Sequence, residues 1–357
     1  MTRVGADRYN PAVSVALNIL DSSVARPDYA QGPRRLAAVR LMRLSVTDRC
    51  NFRCVYCMPE QGVPFYDRTD LLSAEQIIAV ARTARQAGVT HFKVTGGEPT
   101  VRADLLEIIE RLAELNPDDL SMTTNGLMLD KLAQPLRDAG LDRITVSLDS
   151  LQEQRFHRIT GGKLPGDALR RVCDGLAAAE AAGFERIKIN MVVMRDVNDA
   201  EVADFAALTL DRPWTVRFIE YMPLGDSVMT GLSTGAVPNQ VVRSRIEAVH
   251  GRLRPVDRES EAGVGPAEVF TLADAVGRVG FISAMSHPFC ETCNRLRLTA
   301  RGELRACLFD GGEVDLLPAL RPTPCHDRIL EAMHRCVAQK PQTHSDRGNR
   351  AMSQLGG

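Results

Sequence analysis

The chain has 357 residues, 44% hydrophobic and 25% charged, with 44 Lys and Arg against 45 Asp and Glu. This near-average composition excludes disordered, collagenous and fibrous chains, and at ~100–200 residues per domain the length predicts two domains, or one large one with an appendage. A formal charge of −1 argues against a protein held on nucleic acid by a strong positive field, and no apolar run approaches the ~20 residues of a membrane span.

Residues 1–38 are rich in Pro, Gly, Asp and Arg and predict a loosely ordered arm. Arg3, Asp7 and Arg8 and the lack of an apolar core give this arm no export signal, so the expected location is cytoplasmic. From 39 to 224 a short β-branched run, a turn and a helix recur. Strands are predicted at Arg43–Val46, His91–Thr95, Leu120–Thr124, Arg143–Leu148, Arg186–Val193 and Thr215–Ile219. Between the first two, Ser73-Ala-Glu-Gln76 reads as a capping box, followed by apolar Ile77, Ile78, Ala81 and Ala84 and closed by Gly88. Leu105, Ile108, Ile109 and Leu112 form the next helical face. Strands alternating with helices imply an α/β fold of parallel βα units. Six units suit an incomplete barrel of the triosephosphate isomerase type, which normally has eight, or a doubly wound sheet.

Residues 225–285 gain Gly, Ser, Arg and Pro and lose the regular alternation, which sets a second domain at 225–340. It contains the Pro-rich stretch Leu317–Pro324 and a predicted helix over Asp327–Val337. A polar tail, 341–357, ends in Gly356-Gly357.

Nine cysteines in a chain without an export signal point away from disulfides and towards metal or redox use. Cys50, Cys54 and Cys57 lie within eight residues directly after the first strand. Three thiolates so spaced can hold three corners of a 4Fe–4S cube and leave the fourth iron open; a zinc site with a distant fourth ligand is the alternative. Cys290 and Cys293, with His287 before them and Cys307 after, suit zinc and iron–sulfur equally. Arg295 and Arg297 follow at strand spacing and can jointly face one anion. Cys173, Cys325 and Cys336 match no motif and are expected to be small packed residues. Polar clusters also end the strands: Thr95-Gly96-Gly97-Glu98-Pro99, Thr124, Ser147 with Asp149, Lys188 with Asn190, and Met222. Glu98 offers a carboxylate to an ammonium group, and such clusters in register predict a shared cavity on one face of a barrel.

C-x3-C-x2-C with Tyr56 before its last cysteine, followed by the Gly-Gly-Glu-Pro turn, resembles the radical S-adenosylmethionine (SAM) enzymes. The second group, C-x2-C-x13-C with Asn-Arg-Leu-Arg after its second cysteine, and the terminal Gly-Gly resemble the GTP 3′,8-cyclase family of molybdenum cofactor biosynthesis. That resemblance implies an incomplete (βα)6 barrel covered by a C-terminal domain, with two 4Fe–4S clusters facing one cavity. Cys50, Cys54 and Cys57 would hold the SAM cluster, and Cys290, Cys293 and Cys307 the auxiliary cluster that meets substrate. Tyr56, Gly97, Glu98, Ser147, Asn190 and Met222 would contact SAM; Arg43, Lys93, Thr124, Lys188, Arg295 and Arg297 would bind GTP. Arg295, Arg297, Gly356 and Gly357 would serve catalysis, the tail threading into the cavity.

The implied reaction is a lyase step: SAM is cleaved to methionine and 5′-deoxyadenosine, and GTP becomes (8S)-3′,8-cyclo-7,8-dihydroguanosine 5′-triphosphate. The implied partners are GTP, a reductant or electron-donor protein, and cyclic pyranopterin monophosphate synthase downstream, with a homodimer as the assembly the resemblance admits and no nucleic acid or membrane. Two alternatives are a peptide-modifying radical SAM enzyme, whose relatives tend to carry more C-terminal cysteines, and a zinc-binding module without catalysis. Lys93 departs from the Arg of some relatives and loses the bidentate fork, and Gly161–Gly166 reads as a small insertion.

Overall fold

The computed structural model describes residues 34–59, 62–161, 164–225, 236–257, 263–309 and 313–356. Most of the expected arm, part of the 161–166 insertion and Gly357 lie outside them. The arm's end is built into the body, against expectation: Leu36, Ala38 and Val39 are buried, and Arg34 Nε donates to the Lys340 carbonyl at 3.0 Å.

The first half alternates as its sequence predicts, in the order β1 (Leu41–Ser45), α1 (Ala74–Gln86), β2 (His91–Thr95), α2 (Leu105–Ala113), β3 (Asp119–Thr124), α3 (Leu129–Asp138), β4 (Arg143–Ser147), α4 (Glu153–Ile159), α5 (Ala168–Ala181), β5 (Lys188–Val193), α6 (Val202–Asp211) and β6 (Thr215–Glu220). Helix α1 starts at a full capping box, in which Ser73 Oγ accepts from Gln76 N and Gln76 Oε1 accepts from Ser73 N. Its Ile77, Ile78, Ala81 and Ala84 are buried, as are Leu105, Ile108, Ile109 and Leu112 on α2.

The second half holds α7 (Asn239–His250), β7 (Arg254–Pro255), β8 (Glu268–Thr271), β9 (Arg278–Ile282), β10 (Arg295–Leu298), β11 (Glu303–Arg305), β12 (Val314–Asp315), α8 (Leu317–Leu320), α9 (His326–Ala338) and α10 (Met352–Leu355). It is therefore more regular than its composition suggests. One 12-stranded sheet runs across the expected domain boundary in the order β12-β11-β10-β1-β2-β3-β4-β5-β6-β9-β8-β7. β10 pairs parallel with β1, and β9 pairs parallel with β6. The six expected parallel strands are thus flanked by two more, one on each edge. Among the described residues β9 and β10 are not bonded to each other, so the barrel stays open. The segment from 283 to 294 links those two edges and carries Cys290 and Cys293.

Strand alternation then sorts the side chains. Met42, Leu44, Phe92 and Val94 are fully buried in the core, whereas Arg43 and Lys93 point into a cavity inside the sheet. Of the three cysteines outside motifs, Cys336 is buried as expected and Cys325 half-buried, but Cys173 is exposed on α5. That face of α5 points outward, so Cys173 packs against nothing in the core.

Candidate active site

A cavity of about 320 Å³ runs along the inside of the open barrel. All the residues expected to hold the clusters, SAM or GTP line it. The two cysteine triplets arrive there from different elements: Cys50, Cys54 and Cys57 from the loop after β1, Cys290 and Cys293 from the linking segment, and Cys307 from just beyond β11.

Local contacts fix the first loop. Cys57 N and Met58 N both donate to the Cys54 carbonyl, at 2.9 and 3.1 Å, and close a tight turn. Gly97 N donates to Thr47 O and Glu98 N to Arg49 O, both at 2.8 Å, which clamps the Gly-Gly-Glu-Pro turn against that loop. A Cβ at Gly97 would lie 2.4 Å from the Arg49 carbonyl oxygen. The close approach that requires glycine is thus to the chain's own backbone, not only to a ligand.

Glu98 differs from expectation in the same way. It is 1% exposed, and its carboxylate accepts from Thr100 N, Thr100 Oγ1, Thr124 Oγ1 and Asn125 N at 2.6–3.1 Å. Four donors of the chain saturate it, so it braces two strand ends rather than offering a free carboxylate. Thr124 spends its proton on that brace. Tyr56 OH donates to Asp149 Oδ2 at 2.9 Å, and Val192 N donates to Asp149 Oδ1 at 2.8 Å. Burial pushes the Asp149 carboxyl up to about 6. Asn190 Oδ1 accepts from Arg217 Nε at 2.8 Å.

Register aligns the basic side chains. Arg297, Arg43 and Lys93 are Cα partners across β10, β1 and β2, and Asn190 pairs with Arg217 across β5 and β6. Burial first, then Arg297, Arg295 and Arg217, pull the Arg43 pKa well down; burial, then Arg217 and Arg43, do the same to Lys93. Burial and Arg295 lower Arg297 to about 10. Arg43 Nε is buried without a hydrogen-bond partner. Crowded, desolvated cations of this kind are stabilised by a polyanion among them.

The donor sets fit iron–sulfur clusters. None of the nine cysteines is in a disulfide. Burial with Glu98, and burial with Cys50 and Asp149, push Cys50 and Cys57 respectively up to about 12, so those thiolates persist only against a bound cation. In the second triplet burial raises Cys290 as well, but Cys293 goes the other way. Against burial, Arg295 and Lys340 bring Cys293 down to about 6.

Sequence reasoning missed Arg217, Lys340 and Ser353. Arg217 lies at an inward position of β6, at the parity its strand alternation marks. Lys340 has no motif around it. Ser353, 2% exposed, lines the cavity from α10. The tail enters the barrel: Leu355 and Gly356 are buried, and Arg297 Nη1 donates to Gly356 O at 3.4 Å.

Comparison with known proteins agrees with this architecture. Residues 44–209 match the Radical SAM superfamily, and residues 214–346 match Molybdenum Cofactor Synthesis C. A GTP 3′,8-cyclase of Pelotomaculum thermopropionicum is 44% identical over 326 residues, 89% of this chain and 98% of that one. The GTP 3′,8-cyclase of Geobacter sulfurreducens is 46% identical over 310 residues, covering 86% and 91%. The crystal structure of Streptococcus suis SuiB bound to S-adenosylmethionine superposes with a TM-score of 0.56 at 13% identity. The match covers 76% of this chain and 60% of that one, and speaks for the fold alone. Two triplets opening into one cavity, one after the C-terminal end of β1 and the other around the N-terminal end of β10, in a chain matched over most of its length at such identity, lead to one assignment: the chain belongs to the GTP 3′,8-cyclase family of radical SAM enzymes.

Proposed function

We propose that this chain cyclises GTP to (8S)-3′,8-cyclo-7,8-dihydroguanosine 5′-triphosphate, the first step of molybdenum cofactor biosynthesis. The observation that carries the reading is one cavity lined by two cysteine triplets, after β1 and around β10 and β11, together with buried cations. Cys50, Cys54 and Cys57 hold the cluster that binds SAM, and Cys290, Cys293 and Cys307 hold the second. When bound, these groups supply a radical that takes hydrogen from C3′ of the ribose and an open iron for the guanine ring.

The chain's own residues bind, orient and exclude water. Arg43, Lys93, Lys188, Arg217 and Arg297 take the triphosphate, whose charge relieves their mutual repulsion. Tyr56, held by Asp149, lines the SAM side with Gly97, Ser147 and Met222. Fixing both ends of the nucleotide holds C3′ against C8, which ring closure requires. Residues 39–224 supply the SAM-cluster cysteines and most of the triphosphate-binding cations, 225–340 supply the second cluster's cysteines and Arg297, and the tail closes the cavity. An external reductant or electron-donor protein starts each cycle, and the product passes to cyclic pyranopterin monophosphate synthase.

Anaerobic incubation with SAM, dithionite and GTP tests this. The expected result is 5′-deoxyadenosine together with a cyclised nucleotide, from protein holding about eight iron per chain. Deoxyadenosine formed at the same rate without GTP would sink the reading in favour of another substrate.

A further inference from the structure

Lys340 lies just past the C-terminal end of α9 and is 3% exposed. Its ammonium donates to the Cys293 carbonyl at 2.8 Å and stands 3.7 Å from Cys293 Sγ. Among the described residues those are its side-chain hydrogen-bond partners, and no carboxylate forms an ion pair with it. A buried ammonium is costly unless an anion faces it. Here the Cys293 sulfur faces it, a thiolate whenever it ligates iron. Arg295 Nη2 reaches the same sulfur at 3.9 Å. The first triplet has Glu98 and Asp149 beside it, and its cation, Arg53, donates to the Cys50 carbonyl at 2.6 Å rather than to a cysteine sulfur.

We infer that Lys340 is a positioning residue for the second cluster: its charge, held against Cys293, stabilises the reduced form and raises that cluster's midpoint potential. This rests on the reading that Cys290, Cys293 and Cys307 hold a cluster. A fixed positive charge favours the state with one more electron, and hydrogen bonds to cluster sulfur act in the same direction. It also withdraws electron density from the open iron, leaving it a better acceptor for a ring nitrogen.

The experiment is an anaerobic redox titration, followed by electron paramagnetic resonance, of the full reconstituted chain as wild type, Lys340→Met and Lys340→Arg. Met keeps the length and loses the charge. The expected result is a more negative midpoint for the second cluster in K340M, a value near wild type in K340R, and an unchanged SAM-cluster midpoint in all three. A purely structural role for the residue at the end of α9 would lower the melting temperature without moving one midpoint relative to the other. An unshifted K340M, or a K340R shifted as far, overturns the inference. If K340M retains only about four iron per chain, restoration of the second cluster in K340R supports it and loss in both variants overturns it. A wild-type chain lacking the second cluster would end the functional reading as well; a wild type with both clusters and an unshifted K340M ends this inference alone.

Discussion

Arg297 and Gly356 meet inside the barrel, the guanidinium of β10 donating to the carbonyl of the tail at 3.4 Å. Gly356 has φ +72°, and a Cβ there would lie 2.5 Å from Ser45 Cβ on β1. An alanine would cost about 1–2 kcal/mol for the left-handed backbone alone, before that overlap. We expect Gly356→Ala to lower product formation by about tenfold or more, since ~1.4 kcal/mol is one factor of ten, while iron content stays at the wild-type value. Residues appended after Gly357 should likewise spare the clusters and abolish product. Product measured against deoxyadenosine decides it; wild-type yields from both variants would remove the tail from the reaction.

The tail is held from outside the cavity by ion pairs. Arg350 donates to both carboxylate oxygens of Glu303, at 2.6 and 3.1 Å. Arg305, fully buried, pairs with Glu313 at 2.5 Å and donates to Asn349 Oδ1 at 2.9 Å. Arg350→Ala should free the tail, so that limited proteolysis removes the C-terminus faster and product falls without loss of iron. Arg350→Lys, which keeps the charge but not the fork, should fall between the two. Equal proteolysis of wild type and R350A would show that the tail's other contacts hold it without Arg350.

Much of this was legible in sequence because each βα unit carries its own period. The six core strands end within two residues of their predicted places, and the capping box of Ser73 and Gln76 forms as read. Cysteine spacing drew attention to both triplets because chelation needs several donors of one type close together. The second half was harder. β9 and β10 are short, and their partners β6 and β1 lie far away in sequence, so nothing local reveals that they extend the parallel sheet. Helix α7 dilutes its apolar face with Arg and Ser. Lys340 and Arg217 are single charges whose meaning comes from what folds against them. Glu98 shows the reverse: its motif is local, yet its carboxylate is spent on the scaffold.

At the N-terminal end of the strands Arg143 and Asp119 form a two-bond ion pair, with Nη2 donating to Oδ2 at 2.6 Å. Burial alone would raise the Asp119 carboxyl, but Arg143 holds it below its ordinary 3.8. A depressed carboxyl contributes stability that is present above its ordinary value and is lost as pH falls through its folded value. Asp119→Asn leaves the guanidinium largely buried without its anion, at a cost of about 3 kcal/mol. The melting temperature at neutral pH should drop, and the acid limb below about pH 4 should flatten relative to wild type. An acid limb identical in the two proteins would assign acid unfolding to other groups.

Arg217 tests the crowding of cations from the opposite side. It is buried at 9% exposure, bonded to Asn190, and depresses Lys93. With a polyanion in the cavity it supplies a charge-assisted hydrogen bond of about 1.5–3 kcal/mol. Arg217→Met should therefore raise the KM for GTP roughly 10–100-fold. The stabilisation that added GTP confers should shrink in the variant by the same affinity factor. A KM left at the wild-type value, with GTP still shifting the melt in full, would place the triphosphate away from β6 and require the other cations to carry it.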